Sequence, residues 1–292
     1  MRSPSFHRRL ISEFISSLPV FLLSRFFRRR IFRSAMLTAP FIFSALPAAA
    51  TVAALECSAK SGATKVAVLE LYTSEGCNSC PPTDRWVSSL RTRNLVNERV
   101  IPLAFHVDYW NYIGWNDPYS DKKYSDRQRT ASSRQGSSVI YTPQLVLNGK
   151  DLRGQQHGDF AGMLGKINQN MPEATISLML NRADPAHYEV SGNVAVANPD
   201  HHQHAEAYVA LIENNLVSDI KAGENRGVTL HHDFVVRELA GPFRTDADGM
   251  TALKKTFDVK HHWKAADTTL VAFVQNAKTG DVLQALALPA CQ

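Results

Sequence analysis

Cysteine is scarce in this chain: four residues among 292, with a single Cys-x-x-Cys run. A zinc site built from two such pairs is therefore excluded. No glycine-rich loop of the kind that cradles phosphate is present, so no organic cofactor is implied. The overall charge of +5 does not reflect a basic surface. Of the 32 basic and 27 acidic residues, eight Arg and one Glu fall in residues 1–50, which leaves 24 against 26, a net of −2. Without a basic patch, nucleic acid is not an expected partner. No internal repeat or low-complexity stretch follows residue 50. What is there, 44% apolar and 20% charged residues, is a globular composition.

A leader accounts for the positive charge. Arg25, Arg28, Arg29, Arg30 and Arg33 precede an uncharged apolar stretch, residues 35–46. Pro47-Ala48-Ala49-Ala50 then offers the small residues that a signal peptidase accepts. The stretch is short of the ~20 residues of a spanning helix. A cleaved signal over residues 1–50 is expected, with no stable membrane insertion after cleavage; an uncleaved anchor is the alternative. Export places the remaining chain where disulfides persist. Cys57 and the penultimate residue, Cys291, are expected to pair, because domain termini often lie close together. Glu56, bulky and charged, argues against lipid attachment at Cys57.

Past the leader, residues 65–72 form a mostly apolar run of strand length. A turn, Thr73-Ser74-Glu75-Gly76, leads to Cys77-Asn78-Ser79-Cys80. An amphipathic helix follows, with Trp86, Val87 and Leu90 on one face. Residues 100–107 are a second apolar strand, and residues 110–135 a polar helical excursion that begins near Asn116-Asp117-Pro118. Short strands, 139–141 and 144–147, flank Thr142-Pro143. Asn148-Gly149 is a two-residue hairpin turn, and residues 159–170 fit a closing helix. Beyond Met171-Pro172 the composition changes to alternating segments at 175–180, 188–196, 207–213, 229–238, 256–259 and 269–275, with turn signals between them. That spacing predicts an all-β sandwich. The expected architecture is an α/β thioredoxin-like domain over residues 57–171, with a helical insertion, followed by an all-β, sandwich-like C-terminal module over residues 172–292.

The chemistry concentrates at the cysteine pair. A helix that starts there offers free backbone N–H groups and a positive dipole end, both of which favour a thiolate at Cys77. Cys77 is expected to be the exposed nucleophile, with Cys80 one turn deeper and able to close a disulfide. Pro81 and Pro82 suit a first helical turn, whose N–H groups lack intrahelical partners. A zinc half-site or a static disulfide would use the same pair. Thr142-Pro143 falls about 65 residues after Cys77, where thioredoxin-like folds place a cis-proline against the reactive disulfide; an X-Pro bond can hold that isomer. A trans proline at a bulge is the plain alternative.

Glu70, alone in an apolar run, is a candidate buried acid beneath Cys80 that exchanges its proton, or else a salt-bridged strand residue. His106 and Asp108 share one face of a strand end, where they could polarise a substrate, bind a metal or bond loop backbone. Trp110, Tyr112 and Trp115 suggest a packed loop. His201-His202-Gln203-His204 has the side chains for copper or zinc but follows Asn198-Pro199-Asp200, a solvated turn. The neighbours in His231-His232 and His261-His262 face opposite ways on a strand and cannot chelate together from one face.

The run from Leu69 to Pro82, Leu-Glu-Leu-Tyr-Thr-Ser-Glu-Gly-Cys-Asn-Ser-Cys-Pro-Pro, resembles the signature of the exported family called domain of unknown function 1223. So do His106-Val107-Asp108-Tyr109-Trp110, Gly114-Trp115, Asp117-Pro118, Tyr141-Thr142-Pro143-Gln144 and Gly223-Glu224-Asn225-Arg226-Gly227. The resemblance runs from about residue 65 to the C-terminus. It implies a thioredoxin-like fold in the first part and supplies no activity. The chain departs from ordinary thioredoxins in its Asn-Ser between the cysteines, in lacking Trp before Cys77, and in its two prolines after Cys80.

The expected function is thiol–disulfide exchange outside the cytoplasm, periplasmic or secreted, on protein thiols and disulfides. Cys77 and Cys80 would carry the exchange, Thr142 and Pro143 would dock the partner's extended chain, and Glu70 would handle a proton. Two alternatives stand beside it. One is a copper(I) carrier with Cys77, Cys80 and His106 as ligands. The other is a non-enzymatic binding protein whose cysteine pair only staples a loop.

Overall fold

The computed structural model describes residues 55–153, 159–184 and 186–291. The expected leader, residues 1–50, lies outside them. β1 (Leu55–Lys60) and β2 (Ala67–Thr73) precede the cysteine turn and α1 (Pro81–Ser88). β3 (Val100–His106) leads through a 3-10 turn, Asp108–Ile113, to α2 (Lys122–Arg134). β4 (Gln144–Leu147), β5 (Lys150–Asp151) and α3 (Phe160–Asn168) follow. The rest is β6 (Ala174–Asp184), β7 (His187–Val196), the single turn α4 (Pro199–His202), β8 (Ala205–Glu213), β9 (Leu216–Asp219), β10 (Thr229–His232), β11 (Val235–Arg244), β12 (Met250–Asp258), β13 (Thr268–Asn276) and β14 (Val282–Pro289).

Local sequence explains several of these elements. β2 and β3 pair in parallel from Ala67–Val100 to Thr73–His106 and are buried throughout, so both carry continuous apolar runs. Asn148 and Gly149 turn β4 into β5 at φ of 49° and 85°, the left-handed pair that a two-residue hairpin demands. Asp121 caps α2 by accepting the Lys123 N–H at 2.9 Å.

One eight-stranded mixed sheet, in the order β14-β13-β8-β11-β3-β2-β4-β5, organises the molecule. β11 enters its middle, antiparallel to β8 and parallel to β3 through Val235–Ala104. A second, antiparallel sheet runs β1-β6-β7-β12, and β7 and β12 alternate buried and exposed residues, as strands with one solvated face do. One core wraps β2, β3 and β4 with α1, α2 and α3; the other lies between the two sheets. β8 and β13 serve both. Tyr208, Ala210, Ile212, Val271 and Phe273 enter the first core, while Val209, Leu211, Leu270, Ala272 and Val274 enter the second, because successive strand residues face opposite ways.

This sheet corrects the expected fold class, a thioredoxin-like α/β domain followed by an all-β sandwich-like module. Strand outweighs helix among the described residues, 43% against 21%, and β8, β11, β13 and β14 extend the same sheet that holds β2 to β5. The physical reason lies in β8 and β13: apolar on both faces, they need cover on both. β6 and β7 supply one cover, and the elements around β2 and β3 the other. The expected Cys57–Cys291 disulfide is present, joining β1 to the residues after β14.

Candidate functional site

β2 delivers the chain into the cysteine turn. The Ser74 hydroxyl accepts the Gly76 N–H at 3.1 Å, the Cys77 N–H bonds the Ser74 carbonyl at 3.2 Å, and the Cys80 N–H bonds the Cys77 carbonyl at 3.3 Å. The Cys80 carbonyl then accepts from Thr83 and Asp84 and starts α1, with Pro81 and Pro82 in the first turn. Cys77 and Cys80 are joined in a disulfide. Asn78 and Ser79 are exposed, but neither cysteine is: both are 0% accessible. The expected exposure of Cys77 is corrected by what packs over the turn.

Residues 223–227 cover it. The Asn225 side-chain amide donates to the carbonyls of Glu75 at 2.8 Å and Cys77 at 3.0 Å. The Asn78 N–H donates to the Glu224 carboxylate at 3.0 Å. Ile113 fills the space between this loop and the turn: a Cβ added at Gly76 or at Gly223 would each lie 3.0 Å from its Cδ1. Glycine at these two positions permits the close approach.

Beneath the turn lies a buried polar cluster. One Glu75 oxygen meets His232 Nε2 at 3.0 Å, and the other accepts from Trp115 Nε1 at 2.8 Å. Asp117 Oδ2 accepts the Glu75 N–H at 2.9 Å and meets His106 Nδ1 at 2.7 Å. The rings of His106 and His232 stand edge to face, 5.1 Å apart. Asp84, one helical turn beyond Cys80 and therefore on the same helix face, accepts from the Thr73 hydroxyl at 2.8 Å. Burial pushes the Asp84 carboxyl pKa up, with partial opposition from His232 and His106. Burial also resists protonation of His106, but Asp117, with Asp84 and Glu75, raises its pKa overall. Burial would raise Asp117 too, yet His106 and the backbone donors hold it low. His106 and Asp117 thus each favour the other's charged form. A cavity of about 130 Å³ beside α1, lined by Pro81, Asp84, Arg85, Leu230 and His232 among others, adjoins the cluster.

Glu70 is elsewhere, which corrects its placement beneath Cys80. Its carboxylate forms a two-point pair with Arg127 of α2 at 2.8 and 2.9 Å and accepts from the Tyr72 hydroxyl at 2.5 Å. It alternates on β2 with Thr73, whose side chain faces α1, so sheet backbone separates Glu70 from the cysteine helix. Thr142–Pro143 is cis. β4 pairs antiparallel with β2 up to Gln144–Tyr72, so Pro143 stands at the end of β2 from which the cysteine turn departs.

Asp108 does not join His106; its backbone N–H and carboxylate both bond the Ser125 hydroxyl. With both sulfurs in the disulfide, the alternative metal set of Cys77, Cys80 and His106 is not assembled, and no group of three His, Cys, Asp or Glu among the described residues is arranged to hold a metal. His201 and His202 serve the fold, bonding Glu173, Asn276, Val196 and Ala247. His231 and His232 face opposite ways, exposed and buried, as strand geometry requires. Sequence reasoning missed Asp84 altogether, quoted Glu75 and Asp117 without a role, read Trp115 as loop packing and weighed His232 only as a metal ligand. It quoted Glu224 and Asn225 as motif without a role. The available signal was a helix offset: Asp84 follows Cys80 by four.

Fold and site define a mixed α/β chain, rich in strand, with a buried Cys-x-x-Cys disulfide at a helix start. The model of the family described as "Protein of unknown function (DUF1223)" matches residues 68–275, and the chain belongs to that family. No curated protein matches it. A structural-genomics protein from Agrobacterium tumefaciens is similar in fold at 24% identity and a TM-score of 0.55, over 78% of this chain and 96% of that one. HBP35 of Porphyromonas gingivalis is similar at 18% identity and a TM-score of 0.57, over 78% of this chain and 76% of that one.

Proposed function

We propose that the chain performs thiol–disulfide exchange outside the cytoplasm, with Cys77–Cys80 as the reactive disulfide and protein thiols or disulfides as substrate. The observation that carries this reading is the closure of the pair on the N-terminus of α1. Prolines hold the first two helical positions and the Thr83 and Asp84 N–H groups bond the Cys80 carbonyl, so the support comes from the positive end of the helix dipole, which stabilises a thiolate that a structural staple has no use for. A partner thiolate attacks Cys77 Sγ, the Cys77–Cys80 bond breaks, and Cys80 leaves with the electron pair. The partner's second thiolate then attacks its own sulfur in the mixed disulfide, which releases Cys77. The partner gains a disulfide and the cysteine pair holds two electrons. The reverse sequence reduces a partner, and neither direction requires an organic cofactor.

Asp84, buried one turn from Cys80, is suited to hold the proton that Cys80 takes up or gives away. Thr142 and Pro143, immediately before β4, would lie along the partner's extended chain. The arginine-rich leader with its small-residue cleavage site supports export, and no helix among the described residues is long and apolar enough to cross a membrane.

Cys80→Ser tests the reading. Offered a peptide disulfide, the variant should accumulate a peptide adduct on Cys77, visible by intact mass, because no resolving thiol remains. A chain that forms no such adduct contradicts the exchange.

A further inference from the structure

Exchange requires a thiolate to approach a sulfur along the axis of the bond that breaks. Cys77 and Cys80 have no accessible surface, so if they exchange, something over them moves. The segment 108–117 is a poor candidate, because Trp115 and Asp117 lock it to Glu75 and His106 inside the buried cluster. Residues 223–227 differ. They connect β9 to β10, a two-stranded ribbon with no backbone ladder to either larger sheet; His232 anchors the far end of β10 to Glu75, but the connecting loop lies beyond that anchor. Within 223–227 only Asn225 is buried among residues of which Glu224, Arg226 and Gly227 are exposed. Gly223 and Gly227 bracket the loop at φ of 74° and 84°. The loop's own bonds, Gly227 N–H to the Ile220 carbonyl at 2.8 Å and Val228 N–H to the Asn225 carbonyl at 3.0 Å, let it move as a unit. Its polar hold on the cysteine turn consists of the two Asn225 bonds and the Glu224 bond.

We infer that residues 223–227 are a movable cover on the Cys77–Cys80 disulfide, with Asn225 as the plug and Glu224 as the latch, and that lifting it admits the partner's sulfur. The inference rests on the exchange reading and adds its control point. The latch has a second consequence. Glu224 occupies the N–H of Asn78, the residue after Cys77, and brings a negative charge to it. Lifting the cover exposes the sulfur and frees that donor in one movement. Slim, extended partners that displace Asn225 are favoured over bulky ones.

The test is the reduction rate of each disulfide in the full oxidised chain, followed by rapid alkylation and peptide mass after mixing with dithiothreitol. Asn225→Ala should reduce Cys77–Cys80 roughly tenfold faster or more, as expected for the loss of two modest hydrogen bonds. Cys57–Cys291, remote from the loop, should keep its rate and serves as internal control. Glu224→Gln, which keeps the shape of the latch, should give a smaller acceleration of the same kind. Hydrogen exchange on the unaltered chain should show the Asn78 amide opening without global unfolding. Equal acceleration of both disulfides would reflect general destabilisation and overturn the cover. So would an unchanged Cys77–Cys80 rate in a chain whose pair is readily reduced, which leaves the exchange reading intact. A pair that resists dithiothreitol in every variant, with the chain folded, overturns both.

Discussion

Asp117 shows how much a single carboxylate can organise here. Its oxygens take the Glu75 N–H, the Tyr119 N–H and His106 Nδ1, so charge, turn geometry and ring orientation are set together. The pH dependence follows. His106 has its pKa raised in the fold above its ordinary 6.5; its stabilisation is complete below that pH and is lost as pH rises through the folded value. Asp117 is lowered from 3.8; its contribution is present above that pH and is lost as pH falls through the folded value. The pair's contribution to stability should therefore be greatest between roughly pH 3.8 and 6.5, and His106→Gln should lessen the alkaline-side decline. Urea unfolding across that range and up to about pH 9 measures it, and a wild-type profile flat above pH 6 would contradict the pair.

At the scale of elements, α2 is fastened to the sheet by a buried cation. Arg127 pairs with Glu70 on β2, bonds Gln275 on β13 at 3.1 Å, and lies within 5.5 Å of the ring centroids of Phe105, Tyr208 and Phe273. Replacing it with methionine leaves the Glu70 carboxylate buried with no cation and only the Tyr72 hydroxyl as partner, so Arg127→Met should cost about 3–5 kcal/mol in chemical denaturation. Because Glu70 faces away from α1, the variant's Cys77–Cys80 reduction rate should be unchanged under native conditions. A loss under 1 kcal/mol, or a large change in that rate, would contradict the placement.

Much at this scale was legible in the sequence. The order strand, cysteine turn, helix, the Asn148–Gly149 hairpin and the Cys57–Cys291 pair each depend on local chemistry or on terminus position, whereas the cis Thr142–Pro143 bond is expected from its spacing after Cys77 by analogy with other folds. The polar cluster was not legible. Glu75 meets His232 across 157 positions, and Asn225 meets Glu75 across 150. Contacts between a turn and a distant strand or loop leave no periodic trace in either segment. Glu70 misled because an acid in an apolar strand signals burial without saying which face it occupies.

For the whole molecule, the expected fold class, an α/β domain followed by an all-β module, is corrected at β8 and β13. Alternation assigned them to a separate sandwich, yet both of their faces are apolar and each of the two cores takes one. β11 inserts beside β3, so the sheet around the cysteine turn is incomplete without the C-terminal half. A fragment of residues 55–171 should accordingly lack a cooperative thermal transition and bind hydrophobic dyes. A sharp two-state melt of that fragment would contradict the shared sheet.

The central claim is that Cys77–Cys80 is a working disulfide and Cys57–Cys291 a structural one. Its most direct test is the reduction potential of each pair, read by alkylation and mass after equilibration of the full chain in graded thiol–disulfide buffers. The account predicts reversible exchange of Cys77–Cys80 with a midpoint between about −270 and −120 mV, the span of exchange proteins, while Cys57–Cys291 stays oxidised. A Cys77–Cys80 pair that stays oxidised below about −300 mV, as structural disulfides do, would contradict it.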